Sequence, residues 1–460
     1  MALHRIAYLL YHDRQNLKSS NILILSPNGV FSDYISHILP ELGEENIQEM
    51  SFDLFAYREL KGIPLVSESS AADCEDRCDQ IEREMQDPKA AERFALKQSQ
   101  AFVDQMEGFA LELEDELMNF SDVSYKSFVK SESEIITLFY DKFADIPLLS
   151  RMDAVAETFI DEIETLLNRD LPEEERIPLI EKFRKMYETM DFYVLYNRFL
   201  KKEGYQTLPR RPLEKRKLRY EDVYPVLYLK YRLSRQAERS NIKHLVIDEM
   251  QDYSRLQYLI IRRMFSCKMS ILGDRAQTMA DQQQDVLQFL PGIFGKDLRR
   301  IEMRKSYRNT VEIASYAANL IGVTDLELFE RHGMPVLERD VTDLEAALRE
   351  AVDTLFPDEK TYETAAVIVP DEKTAERAYL ILREILAEKD FDCEKRLSWL
   401  NRDSSSFKKG LTVTTFYLAK GLEFDQVFSI FPKDEKREMM MQAQYIAATR
   451  ALHELRVYHI

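Results

Sequence analysis

The spacing of apolar residues divides the chain into stretches of different period. At the start, Leu3, Ile6, Ala7 and Leu10 recur at helical spacing over residues 2–11. Residues 21–29 (Asn-Ile-Leu-Ile-Leu-Ser-Pro-Asn-Gly) then read as a short buried strand closed by a turn. A helix followed by a buried strand is the rhythm of a parallel α/β sheet. From about residue 60 to 235 the buried-strand signal disappears, and acidic helical patterns cover 71–85, 90–120, 131–142, 152–168 and 177–200. Leu111, Leu113, Leu117 and Phe120 make one apolar stripe, and Phe159, Ile160, Ile163 and Leu166 another, as helix-packing faces do. After Ile242 the α/β rhythm returns, with strands at 244–247 and 268–272 flanking a helix at 256–265. Near Leu298 a second α/β region begins, with strands at 300–303, 365–369, 411–415, 426–430 and 455–459. The pattern predicts an α/β fold of two parallel-sheet domains with a large all-helical insertion in the first. Residues 1–60 and 236–297 make the first domain, 61–235 the insertion and 298–460 the second domain.

Composition narrows the class. A chain of 460 residues, 45% hydrophobic and 31% charged, is a soluble globular protein with room for several cores. Only 12 glycines imply few tight turns and abundant helix. No apolar run is long enough to span a bilayer, and His4 and Arg5 interrupt the N-terminal apolar residues, so neither membrane span nor signal peptide is read. Cys74, Cys78, Cys267 and Cys393 are too few for a disulfide framework, and no second Cys or His pair completes a metal site around Cys74 and Cys78. The expected compartment is the cytoplasm. A net charge of −18 repels nucleic acid from the molecule as a whole, so any contact must come from a local basic patch. One stretch runs from Lys201-Lys202 through Arg210-Arg211 to Lys215, Arg216, Lys217 and Arg219, beside Tyr205 and Tyr220. It reads equally as a surface that holds a single strand and as a solvated basic loop.

The chemistry centres on Leu245-Val246-Ile247-Asp248-Glu249-Met250-Gln251-Asp252, an apolar run ending in adjacent carboxylates. At the end of a buried parallel strand, Asp248 can anchor Mg²⁺ and Glu249 can polarise an attacking water. Alone, such a pair is read as well as an ordinary surface pair. The order of further pieces decides the matter. Gly273-Asp274-Arg275-Ala276-Gln277 ends the next strand, and Ser306-Tyr307-Arg308-Asn309 follows. Thr415 then leads through Ala419-Lys420-Gly421-Leu422-Glu423-Phe424-Asp425 to Tyr445-Ile446-Ala447-Ala448-Thr449-Arg450-Ala451. In this order the motifs resemble the superfamily 1 helicases of the UvrD/Rep type. The resemblance implies two RecA-like domains of the P-loop NTPase type, with ATP and Mg²⁺ between them. Asp248 is then the metal ligand and Glu249 the base, Gln277 contacts the water or γ-phosphate, and Arg308 and Arg450 are arginine fingers from the second domain. Tyr307 stacks on the base, Glu423 accepts from a ribose hydroxyl, Gln251 and Gly421 join the nucleotide contacts, and Thr415, Tyr417 and Lys420 are nucleic-acid candidates.

Within that superfamily the sequence is similar to the HelD group, bacterial helicase-like ATPases that bind RNA polymerase. Residues 2–11 look like the helix that follows the phosphate loop in that group. Ser26-Pro27-Asn28-Gly29 with Asp33-Tyr34-Ile35 and Leu39-Pro40-Glu41-Leu42-Gly43 is similar to its next motif. Tyr417 stands where UvrD-like proteins carry His, and residues 322–411 are too short for the inserted subdomain of UvrD. The resemblance covers residues 1–60 and 236–460, and 61–235 only in position and helical character. It implies single-stranded DNA and core RNA polymerase as partners, in transcription recycling. The family's Gly-x-x-x-x-Gly-Lys-Ser/Thr phosphate loop is not among these residues, since Met1 stands directly before the first helix. The family's adenine-recognition segment and N-terminal coiled arm are missing as well. The expectation is a fragment beginning just after that loop, with weak or no ATP hydrolysis. Two other readings remain: a non-hydrolysing polymerase-binding module, and a DNA-repair helicase unrelated to polymerase.

Overall fold

The computed structural model describes residues 2–13, 15–26, 47–61, 74–212, 215–235, 239, 241–274, 286–303, 305–306, 308–322, 327–355, 362–389, 391–402, 404, 409–433 and 437–460. In chain order its strands are β1 (Ile22–Ser26), β2 (Gln48–Ser51), β3 (Val123–Tyr125), β4 (Phe128–Lys130), β5 (His244–Ile247), β6 (Lys268–Ile271), β7 (Lys305–Ser306), β8 (Glu327–Leu328), β9 (Leu337–Asp340), β10 (Thr364–Val369), β11 (Leu397–Trp399), β12 (Gly410–Thr415), β13 (Phe424–Phe431) and β14 (Ala451–His459). They form two wholly parallel sheets, ordered β2-β1-β5-β6 and β11-β12-β10-β13-β14-β9, besides a β3-β4 hairpin and a β7-β8 pair. This is the expected α/β architecture of two RecA-like sheets with much added helix.

The two central strands of the first sheet, β1 and β5, are largely apolar runs buried along their whole length because both faces are covered. Leu23, Leu25, Leu245 and Ile247 face a large core that continues into helices Gln100–Glu116, Leu148–Leu167, Phe192–Lys202 and Tyr220–Leu233. The alternate residues Ile22, Ile24 and Val246 face a smaller cluster with Ile6 and Leu10 of helix Ala2–His12. The helical stretch therefore grows out of the first sheet's own core. In the second sheet, Ala365, Val367 and Val369 of β10 pack beneath helices Leu344–Asp353 and Glu372–Ala387. Ala366 and Ile368 face helices Val311–Ile321 and Glu438–Thr449. Ile81, from helix Arg77–Gln86 of the helical stretch, is a member of that last cluster.

Several sequence expectations change in detail. Residues 301–303 are extended coil, not strand: Ile301 and Met303 are 74% and 64% exposed. The alternation there has no sheet to cover it, and pairing begins instead at β7 with β8. The 90–120 pattern breaks at Gln98 and Ser99, where the Ser99 hydroxyl accepts the Phe102 amide at 3.2 Å and starts a new helix. The 177–200 pattern breaks likewise before Asp191, whose carboxylate accepts the Tyr193 amide at 2.9 Å. The β3-β4 hairpin adds a short antiparallel element to the helical stretch. Among the described residues no helix is long and apolar enough to cross a membrane.

Candidate active site

Burial of His244–Ile247 on both faces fixes Asp248 and Glu249 at the carboxyl edge of the first sheet, where parallel α/β sheets bind ligands. The Asp248 amide still donates to the Leu25 carbonyl at 3.1 Å, and its Oδ1 accepts the Glu249 amide at 3.0 Å. Glu249 adopts φ +51° and ψ +52°, a left-handed conformation that costs a non-glycine residue about 1 kcal/mol. That turn brings the Met250 amide to the Leu272 carbonyl at 2.8 Å. Gln251 Oε1 accepts the Asp274 amide at 3.1 Å while its Nε2 donates to Glu249 Oε2 at 2.5 Å. The structure thus places Gln251 as a clamp on the Glu249 carboxylate. Gly273 permits the close approach, since a Cβ there would lie 2.6 Å from the Met250 nitrogen.

Burial first, and then the Glu249 charge, push the Asp248 carboxyl up to about 6. A divalent cation would offset both effects. Mg²⁺ takes only one or two protein carboxylates and completes its shell with water and substrate phosphate, which is what Asp248 offers. Among the described residues no cluster of three or more ligating side chains provides another metal site.

The opposite wall belongs to the second sheet. Asn309 Nδ2 donates to the carbonyls of Thr449 at 3.2 Å and Ala451 at 2.7 Å, so Arg308 is held beside Arg450. The Arg308 carbonyl accepts from Arg331 at 2.5 Å, and Arg308 Nε pairs with Glu423 at 2.8 Å. Arg308 is half-exposed and Arg450 wholly buried, donating to the Leu422 carbonyl at 3.4 Å and Thr449 Oγ1 at 3.2 Å. Burial and then the Arg308 charge lower the Arg450 guanidinium from its ordinary value, while Glu249 and Glu423 pull it back. The attraction between Glu249 and Arg450 spans the two sheets, so carboxylates and guanidiniums face one cleft. Tyr445 donates to Asp274 at 3.3 Å across the same boundary. Behind the carboxylates, Lys420 and Asp252 form a buried ion pair between the sheets. Gly421 follows in a left-handed turn at φ +83° that favours glycine.

Other sequence candidates are placed differently. Thr415, Tyr417 and Lys420 are all buried, with Tyr417 donating to Glu82 at 2.7 Å, so none of the three faces solvent in this arrangement. Gln277 and Tyr307 lie outside the described residues. In the basic stretch, Arg216 bonds to Asp191 at 2.6 Å and lies over the Tyr193 ring, Lys202 pairs with Glu112, and Arg210 and Arg211 are exposed. Sequence reasoning missed the Lys420–Asp252 and Tyr417–Glu82 contacts, which join residues 168 and 335 positions apart and leave no local signal.

The sequence profile of the UvrD/REP helicase N-terminal domain matches residues 3–279. The chain belongs to the UvrD/REP helicase family. Among solved structures it is similar to the C-terminal domain of a possible DNA helicase from Lactobacillus plantarum WCFS1, at 24% identity over 34% of this chain and 88% of that one, with TM-score 0.27. It is also similar to the arterivirus nonstructural protein 10 helicase, at 15% identity over 58% of this chain and 50% of that one, with TM-score 0.25. A third is the PRRSV helicase, at 13% identity over 58% and 45%, with TM-score 0.27. The chain spans about half the length of each viral helicase. No curated protein matches it.

Proposed function

We propose that this chain is the ATP-dependent motor core of a HelD-like helicase, acting in the cytoplasm on single-stranded DNA and with core RNA polymerase in transcription recycling. The observation that carries the reading is the meeting of the two sheets at Tyr445–Asp274 and Lys420–Asp252, with Asp248 and Glu249 on the first sheet and Arg308 and Arg450 on the second. Phosphoryl transfer needs an oriented water and cations facing the charge that develops on the γ-phosphate. In this reading Glu249, clamped by Gln251, takes the proton of the attacking water, and Arg308 and Arg450 neutralise the phosphate oxygens. Glu423 releases Arg308 and accepts a ribose hydroxyl, with Gly421 letting the backbone approach. Tyr307 stacks on the base and Gln277 senses the γ-phosphate. Asp248 would hold Mg²⁺, which supplies Lewis-acid charge at the phosphate when bound. Because the two walls lie on different sheets, hydrolysis depends on closure, and closure is what a motor converts into movement. The corresponding division is 1–60 with 236–297, the helical insertion 61–235, and 298–460.

These residues contain no Gly-x-x-x-x-Gly-Lys-Ser/Thr, so the 460-residue polypeptide itself is expected to turn over ATP slowly or not at all. Steady-state turnover on the order of 10 s⁻¹, ordinary for an enzyme, would overturn that expectation. The same observation keeps a second reading in play, a polymerase-binding module that does not hydrolyse. Co-purification with core RNA polymerase supports the HelD-like role, with or without hydrolysis. Salt-sensitive binding to single-stranded DNA without polymerase would point to a repair helicase instead.

A further inference from the structure

The carboxyl edge of the second sheet is covered by one helix of the helical stretch. Four elements that leave adjacent parallel strands contribute to that edge. Residue Glu372 opens the helix after β10, Arg402 follows β11, Tyr417 follows β12, and Arg437 caps the helix after β13. All four donate to one helix, Arg77–Gln86. Arg402 Nη1 bonds to Asp79 at 2.7 Å and its Nη2 lies 3.8 Å from Glu82, while Nε and Nη2 also pair with the Glu372 carboxylate at 3.1 Å and 3.0 Å. The Tyr417 hydroxyl and the Glu372 amide both donate to Glu82 Oε1, at 2.7 Å and 3.3 Å. Arg437 donates to the Met85 carbonyl at 2.8 Å. Guanidiniums, a helix N-terminus and a tyrosine at the carboxyl edge of a parallel sheet are the donors that hold phosphates and stack bases. Here carboxylates of the chain itself occupy them.

The helix is poorly suited to be a permanent part of this core. Its sequence, Arg-Cys-Asp-Gln-Ile-Glu-Arg-Glu-Met-Gln, contains one aliphatic residue, Ile81, that is fully buried. It is held to the second sheet by the Arg402 ion pairs, by hydrogen bonds, and by Ile81 with Cys78 and Met85 against one apolar cluster, and ion pairs offset their own desolvation poorly. Where it meets both sheets a cavity of about 60 Å³ remains, lined by Arg77, Cys78, Ile81, Asp53, Tyr417 and Lys420, among others.

We propose that helix Arg77–Gln86 is a displaceable acidic plug, whose Asp79 and Glu82 stand in for phosphates and compete with single-stranded nucleic acid for Arg402, Tyr417 and Arg437. This rests on the reading of the chain as a strand-binding motor core. In the resting state the plug also pins the second sheet to the helical stretch. Strand binding expels the helix, frees the Tyr417 ring for stacking and unlocks the two sheets.

The test is binding of a fluorescein-labelled oligothymidylate, followed by anisotropy, to the full chain and to its Asp79→Asn/Glu82→Gln variant. Removing two ionic contacts at nearly constant shape is expected to tighten binding by ~10-fold. Adding Arg402→Met to that variant should abolish the gain. In the unaltered chain, hydrogen exchange of residues 77–86 should become faster when the oligonucleotide binds. Equal affinity of the two proteins, or unchanged or slower exchange in 77–86 on binding, would overturn the plug while leaving the nucleotide cleft intact. Absence of strand binding by both proteins overturns the plug together with the strand-binding reading. Nucleotide binding at Asp248 is measured separately and stands or falls without this helix.

Discussion

The two sheets differ in what covers them. The first shares a single continuous core with the helical stretch on one face, and among the described residues helix Ala2–His12 and its neighbours cover the other. The second has its own helices on both faces, and among the described residues of the helical stretch Ile81 enters one of its clusters, with Cys78 and Met85 packed against it. The helical stretch is therefore part of the first sheet by packing, and a tenant of the second by ion pairs and hydrogen bonds. Movement between the sheets would break mainly polar contacts and one small apolar one, which suits a cleft that must open and close.

The largest expected effect tests the continuous core. Phe199, fully buried in the helical stretch, packs edge-on against Phe102 with ring centres 5.2 Å apart. Phe199→Ala should cost about 4 kcal/mol, read by urea denaturation. Exchange of the β5 amides should accelerate together with that of helix Phe192–Lys202, since one core holds both. Protection of β5 that persists while the helix loosens would break the comparison.

Next is the seam between the sheets. Lys420→Met leaves Asp252 buried without its cation and should cost about 3 kcal/mol. A loss near zero in the same denaturation experiment would mean that the sheets are not joined at this pair.

A smaller effect, of opposite sign, sits at the cleft. The Asp248 carboxyl is pushed up to about 6, above its unfolded value, so its ionisation destabilises the fold. The cost is absent below about pH 4, where both states hold the proton, and complete above about pH 6. Asp248→Asn should therefore stabilise the apo protein by about 2 kcal/mol at neutral pH, and the gain should vanish near pH 4. Thermal melts across that range check it, and a destabilised variant at neutral pH would contradict it. The smallest effect belongs to the exposed Arg184–Asp153 pair at 2.7 Å, where Arg184→Ala should cost below about 1 kcal/mol in the same melts.

Much of this architecture was legible from local pattern. The strand His244–Ile247 stands where its unbroken apolar run placed it, because a strand buried on both faces has no polar alternation to blur its ends. Strand β10 declared itself in the same way, and β12, β13 and β14 did so through apolar residues interleaved with polar ones. Edge strands other than β6 did not. Gln48–Ser51 and Leu337–Asp340 carry polar residues toward solvent, and their pairing depends on neighbours far along the chain. At the site, the adjacent carboxylates could be named from the apolar run before them and the two arginines from the family resemblance of their motifs, but what clamps or covers them could not. Gln251 on Glu249, Asp252 on Lys420 and Glu82 on Tyr417 are products of tertiary contact.

The most direct test of the inter-sheet nucleotide cleft is a titration of the protein with a fluorescent ATP analogue, with and without Mg²⁺. The account predicts weak, saturable, Mg²⁺-dependent binding that is lost in Asp248→Asn and in Arg308→Ala alike, because one ligand is held from both walls. Binding that is indifferent to Mg²⁺, or to either substitution, would contradict it.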